Sequence, residues 1–394
     1  MEAPPGTRLT SGAAWRAWCE RLAALGDRIL GDDFPSDPRA RAEGFRALTR
    51  LLVYATQLEM EAGDPAFPVL YRYEDPRTPW GGPNPDNVYH RATIDPVCTY
   101  RVTADVRGVR QALFSLHEGD MQLGEYGVYS ERSLDALAVG ADGRLELVLS
   151  PDAQPGNWIP MHRAARLFMI RVYVADWERD AAPSFDIVRV GAEGQAPPPL
   201  APAAVERALD RAVAWVEQSV VFWNGYLAKA AGRTPPNVAG PARAAPGGAD
   251  HLRYGSCFWD LAPDEALVLE CAGPEADYFG FTIHTLAWFE SGDFASRQTS
   301  LNGEQIHVDA DGRFRLVLAH RDPGAPNWID TEERPRGMLT YRFIRPRAEV
   351  EPAARVVPLR ELASALPAGH PRVAPAARAA ALARRRAALW SRYR

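Results

Sequence analysis

The chain repeats itself at a long interval. Asp142-Gly-Arg-Leu-Glu-Leu-Val-Leu149 returns as Asp311-Gly-Arg-Phe-Arg-Leu-Val-Leu318, and Asn157-Trp-Ile159 returns as Asn327-Trp-Ile329. Phe114-Ser-Leu-His117 returns as Phe281-Thr-Ile-His284, and Arg171 as Arg342. The offsets grow along the chain from 167 through 169 and 170 to 171, so the copies are collinear with small insertions. A solenoid unit is only about 20–50 residues long. This period requires two copies of one whole domain, and it leaves open whether they hold one site or two.

The repeated pieces read as β structure. Residues 100–106 alternate with period two. Runs at 112–118, 128–132, 144–149 and 167–174 follow, with Asp142-Gly143 supplying a hairpin cue. Helical spacing is confined elsewhere. Residues 12–30 carry Trp15, Trp18, Leu22 and Leu25. Asp37 before Pro38 starts a second helix running to about 62, and 202–230 has an apolar surface wide enough to pack on two sides. Prolines and glycines at 63–87 predict a loop, and those at 234–248 a linker. The expected class is mainly β with flanking helices, built from two tandem jelly-roll-like β-sandwich copies. A helical N-terminal segment with a Pro/Gly loop occupies 1–83 and copy one 84–190. A bridging helix covers 200–232, copy two 250–346 and an Arg-rich helical tail 347–394. The tail has seven arginines after residue 371, expected in solvent while Leu382, Leu389 and Trp390 dock the helix.

Composition excludes several classes. A net charge of −5 gives no general attraction to nucleic acid. No apolar run is long enough for a membrane span, and no leader pattern opens the chain, so a cytoplasmic location is expected. The four cysteines form no CxxC pair, and Cys98 and Cys271 read as inert thiols in strands. Lys229 is the only lysine, and arginine cannot form an imine. GxGxxG, GK[ST], GxSxG and HExxH are all missing.

Three constellations remain. In each copy a hydroxyl and a histidine alternate against the core residues: Ser115 and His117 against Phe114 and Leu116, and Thr282 and His284 against Phe281 and Ile283. Histidine titrates near neutrality and suits a general base. Strand neighbours two apart, however, sit about 6–7 Å from each other, beyond hydrogen-bond reach. The stiff loop 80–90 offers Trp80, Asn84, Asp86, Asn87, Tyr89 and His90. Its Asp and Asn groups could hold a hard divalent cation or close Asx turns. The third is the Asn-Trp pair, Asn157-Trp158 and Asn327-Trp328, which suits loop closure better than binding. Arg171 and Arg342 could hold an anion or pair with an acid, pairing being the better fit, and Trp288 and Arg297 enrich copy two.

These residues also bring a family into view. Asp322-Pro-Gly-Ala-Pro-Asn-Trp-Ile-Asp330, with Asp309-Ala-Asp-Gly-Arg313 before it and Tyr341-Arg-Phe343 after it, resembles the DUF1214 domain. Arg41-Ala-Glu-Gly-Phe45, Trp80-Gly-Gly82, Asn84-Pro-Asp-Asn-Val-Tyr89 and Asp176-Trp177 resemble other parts of bacterial proteins carrying it. The resemblance spans about 37–345 and implies a jelly-roll-like sandwich in copy two, but no reaction. Pro83 stands where the family pattern has an acid, and Thr331-Glu-Glu-Arg334 replaces Thr-Ala-Gly-His.

The functional expectation is an enzyme of hydrolase or lyase type acting on a small hydrophobic molecule by general acid–base catalysis. His90, His117 or His284 would be the base, oriented by Asp86 or Glu118. Arg297 or Arg342 would steady negative charge. The alternatives are a non-catalytic protein binding a hydrophobic or glycan ligand, and isoprenoid chemistry with Asp86 and Asn87 on Mg²⁺.

Overall fold

The computed structural model describes residues 6–244 and 251–393. The linker expected at 234–248 therefore passes outside the described residues at its end. In chain order the first elements are α1 (Thr7–Thr10), α2 (Ala13–Arg28) and α3 (Pro38–Thr56), the last running into a π-helical turn, Gln57–Glu61. Asp37 caps α3 by accepting the Ala40 N–H at 2.9 Å, with Pro38 in the first turn as the sequence predicts.

Nine strands follow: β1 (Tyr71–Tyr73), β2 (Asn87–Thr93), β3 (Tyr100–Asp105), β4 (Gln111–His117), β5 (Val128–Ser133), β6 (Arg144–Ser150), β7 (Trp158–Pro160), β8 (Leu167–Tyr173) and β9 (Phe185–Arg189). After α4 (Pro202–Ala231) come β10 (Leu252–Asp260), β11 (Glu265–Ala272), β12 (Tyr278–His284), β13 (Ser300–Asn302), β14 (Arg313–Ala319), β15 (Trp328–Asp330), β16 (Arg336–Ile344) and β17 (Ala353–Pro358). Helices α5 (Leu362–Ala365) and α6 (Pro375–Ser391) end the described chain. β1 lies in the stretch read as loop, and β17 in the stretch read as helical tail.

The chain divides into two compact units. One holds residues up to Trp80, Val88–Tyr173 and Ala181–Gly225; the other holds Gly81–Asn87, Val174–Asp180 and everything from Tyr226 on. Each contains two sheets, and their strand orders match apart from β1, an added edge strand in the first unit. The first unit has β1-β2-β8-β4-β5 and β7-β6-β3-β9; the second has β10-β16-β12-β13 and β15-β14-β11-β17. The match extends to one unusual detail: β6 and β7 pair parallel, and so do β14 and β15. The duplication read from sequence is thus a duplication of fold.

Period two places the cores. In the second unit Phe281 and Ile283 of β12 and Leu339 of β16 point inward with Leu267 of β11 and Phe314 and Leu316 of β14, all fully buried. Phe114 of β4 does the same in the first unit, edge-on to Phe185 of β9 at 6.0 Å. Cys257 and Cys271 belong to the second core, where burial pushes their thiols up to about 12 and about 11, out of reactive range. Cys98 sits instead in the half-buried turn before β3. Among the described residues no helix is long and apolar enough to cross a membrane.

The C-terminal helix departs from expectation. Arg378, Arg385 and Arg392 recur every seven residues along one face, and that face is the buried one. Arg378 pairs with Asp322, donates to Gln298 and the Ala325 carbonyl, and lies over the Trp328 ring. An alanine-rich helix has little apolar surface to bury, and long guanidinium side chains reach acceptors that leucines could not use.

Because Phe281 fills the centre of the second core without contact to solvent, Phe281→Ala should cost about 3–5 kcal/mol. Urea unfolding followed by tryptophan fluorescence checks this.

Candidate functional site

The outer faces of the two longer-stranded sheets carry the polar groups. On β4, alternation sends Ser115 and His117 outward. Ser115 Oγ stands 2.8 Å from His117 Nε2, because the long imidazole side chain leans along the strand and closes the spacing of about 6–7 Å in a regular strand. The register shift beside it belongs to β5, and β4 runs in regular register with β8. Burial, with Arg171 and Arg91 adding positive potential, pushes His117 down to about 3 and keeps it neutral. Its Nε2 can then accept the Ser115 proton.

Register places the neighbours. Arg171 of β8 lies opposite Leu113 on the same face, and Tyr71 and Tyr73 of β1 lie opposite Arg91 and Tyr89 of β2. Arg91 is fully buried and pairs with Asp120 at 3.0 Å. It also donates to Tyr54 of α3. Trp215 of α4 donates its indole N–H to the same carboxylate at 2.8 Å. The Arg91 guanidinium lies over the Tyr54 and Tyr73 rings at 5.8 and 5.6 Å. Trp80 packs 5.1 Å from Tyr54 and edge-on to Trp215 at 5.0 Å. The result is an aromatic nest around one ion pair, and it is not saturated. Among the described residues, four buried polar atoms there have no hydrogen-bond partner: the hydroxyls of Tyr71 and Tyr73, Trp80 Nε1 and Arg91 Nε. Sequence reasoning found Trp80, Tyr89 and His117 but missed Tyr54, Tyr71, Tyr73, Arg91, Asp120 and Trp215. Alternation in Tyr71-Arg-Tyr73 was the signal available.

His90 takes no part in this nest. It faces the opposite side of the sheet, accepts from Arg72 at 3.3 Å and packs edge-on to Phe185. Burial and the Arg72 charge push it down to about 3. Glu118 orients no histidine; its carboxylate accepts the Gly127 N–H at 3.1 Å.

The second unit repeats the plan with different filling. His284 is sealed from solvent, and Nε2 meets the Thr340 hydroxyl at 2.8 Å. Ser291 donates to the Pro83 carbonyl, so its oxygen accepts from His284 Nδ1 at 3.3 Å. Burial and Arg342 hold this imidazole well below its usual range. The counterpart of Ser115 is thus supplied by Thr340 on the neighbouring strand rather than by Thr282. Arg342 itself stacks over Tyr254 at 5.7 Å.

Asp86 is a deeply buried carboxylate of this unit. Trp177 donates to it at 2.6 Å, Asn302 at 2.9 Å and Tyr278 at 2.5 Å. Asn84 bridges Tyr278 and Asn87 at 2.9 and 3.0 Å. Gly280 makes room for this group, since a Cβ there would stand 2.4 Å from the Tyr278 hydroxyl. Asp86 is thus ringed by N–H and O–H donors. Among the described residues no three His, Cys, Asp or Glu side chains are placed to hold a metal ion.

The remaining candidates stand apart. Arg297 pairs with Asp330 at 2.9 Å, and Trp288 is buried. Asn327 closes a loop by exchanging two 2.7 Å hydrogen bonds with the His307 backbone, and Trp328 donates to the Ala319 carbonyl. Asn157 and Trp158 do the same with Ala138 and Ser150. A shallow cavity of about 690 Å³ beside Asp105, Arg107 and Ser184 involves none of the candidates.

With this geometry in view, comparison with known proteins gives one consistent result. The family model described as a protein of unknown function, DUF1214, matches residues 94–176 and 290–348. A crystal structure of an uncharacterised Burkholderia cenocepacia protein is similar over 92% of this chain and 100% of that one, with 31% identity and a TM-score of 0.83. The chain belongs to the DUF1214 family. The VPA0106 protein of Vibrio parahaemolyticus is a more distant match, 12% identical over 86% of this chain and 99% of that one, with a TM-score of 0.45. No curated protein matches the chain.

The depressed histidines give a pH dependence with a definite sign. Between pH 6.5 and about 3 the unfolded chain binds a proton at His117 that the folded chain refuses, so stability falls as pH drops through that window. Urea midpoints across it should fall less steeply for His117→Gln than for the parent.

Proposed function

We propose that the outer face of the first unit's five-stranded sheet binds a small aromatic carboxylic acid. The observation that carries this reading is the set of four buried polar atoms left without partners among the described residues around Arg91. An unpartnered buried polar group costs about 1–3 kcal/mol, so four in one nest invite a ligand that satisfies them. All four can donate: two tyrosine hydroxyls, an indole N–H and the Arg91 Nε. A carboxylate is acceptor-only with about four lone-pair sites, and so complements them. The rings of Tyr54, Trp80 and Trp215 supply stacking surface for the flat body.

Tyr71→Phe combined with Tyr73→Phe separates binding from mere packing. Removing unpartnered hydroxyls should leave the unliganded protein as stable or more so. Benzoate and its ring-substituted relatives should raise the melting temperature of the parent saturably, and by clearly less in the double variant. An unshifted parent across that series sinks the proposal.

A specific observation also favours a hydrolase working at the same face, namely the 2.8 Å contact between Ser115 and a neutral His117. Ser115 Oγ would attack an ester carbonyl as its proton passes to His117 Nε2. The imidazolium would return that proton to the departing alcohol, and water would then release the acyl group. Arg91 and Arg171 would stabilise the oxyanion. A fluorophosphonate probe should label Ser115 in the parent and lose that label in His117→Ala. An unlabelled Ser115 rules out this chemistry while leaving the binding reading intact.

A further inference from the structure

In each unit a buried aspartate takes an indole N–H, Asp120 from Trp215 and Asp86 from Trp177. In the first unit the surroundings leave polar atoms open. In the second, the chain's own C-terminal helix enters. Arg385 of α6 lays its guanidinium 4.0 Å from the centre of the Trp177 ring, and Arg392 lies 4.4 Å from the same centre.

Arg385 is held in an unusual way for a buried arginine. It donates to the Phe294 carbonyl at 3.1 Å and to Ser300 Oγ at 2.5 Å. Among the described residues no carboxylate forms an ion pair with it; Asp86 acts on it only at longer range. Arg378, two turns earlier, has Asp322 for that purpose. Buried charges are ordinarily paired, because desolvating a cation is costly. Here an indole face and two neutral oxygens do the work of a counter-ion. Burial accordingly pulls Arg385 down to about 10. A ring face plus acceptors in the plane of a flat cation is how proteins recognise guanidinium groups on ligands.

We propose that the Trp177 face, the Phe294 carbonyl and Ser300 Oγ form a guanidinium-recognition slot. Arg385 is its tethered occupant, and a free alkylguanidinium takes the slot when that side chain is removed. In the parent protein the tether gives Arg385 a high effective concentration, so millimolar ligand does not displace it.

Chemical rescue tests this. Arg385→Ala should melt below the parent. Methylguanidinium chloride at millimolar concentration should restore most of the lost melting temperature along a saturating curve, as expected for a ligand that binds only the folded state. The parent should not be raised. Methylammonium chloride and sodium chloride at equal concentration should restore little. No recovery, or equal recovery with methylammonium, overturns the slot and leaves Arg385 as a generic buried charge. Should the alanine variant fail to fold, Arg385→Gln carries the same titration, and a flat response there overturns the proposal equally.

Discussion

The contact on which each outer face depends is a buried carboxylate accepting an indole N–H. Asp120 gathers Arg91 and Trp215, and Arg91 in turn reaches Tyr54. Asp86 gathers Trp177, Tyr278 and Asn302. A carboxylate out of water needs several donors at once, so each aspartate fixes the positions of residues distant in sequence. Helices and loops that would otherwise pack by loose apolar contact acquire a definite register on the sheet. A carboxamide in the aspartate's place would present an N–H to donors and break that register even at unchanged volume.

The two units began from one plan and have diverged where packing allows. The sandwich cores keep the same alternation and the same strand orders. The outer faces keep a histidine, a hydroxyl and an arginine, yet the hydroxyl partner changes from the same strand in one unit to the neighbouring strand in the other. His284 is saturated on both nitrogens and sealed. His117 is only half-buried and makes one contact with a serine. The two imidazoles therefore differ in their access to solvent.

Much of the fold was legible because duplication doubles every local signal. Alternation around Phe114 and Phe281, the Asp142-Gly143 turn and the Pro38 helix start each rest on one backbone rule. What was missed needed tertiary information. β1 is three residues inside a proline-rich run, too short for periodicity to register. β17 became visible only through its pairing with β11. The arginines of α6 read as solvent charges by type, and nothing local says that acceptors await them. The site was less legible than the fold. His117 and Trp80 stand out by type, but Arg91 and Asp120 look like ordinary surface charges until the chain closes around them. His90, an attractive candidate by type, faces the wrong side of its own sheet.

The parallel pairing of β6 with β7, and of β14 with β15, bears on how such chains should be searched. A strand that turns back to lie parallel to its predecessor after so few residues needs a tightly sealed loop. The Asn-Trp pair does the sealing in both units. The most recognisable signature in the sequence is therefore a fastening of the scaffold. A search for relatives anchored on it collects proteins that share a framework and need not share a ligand. Sorting them by purpose calls for residues outside that fastening.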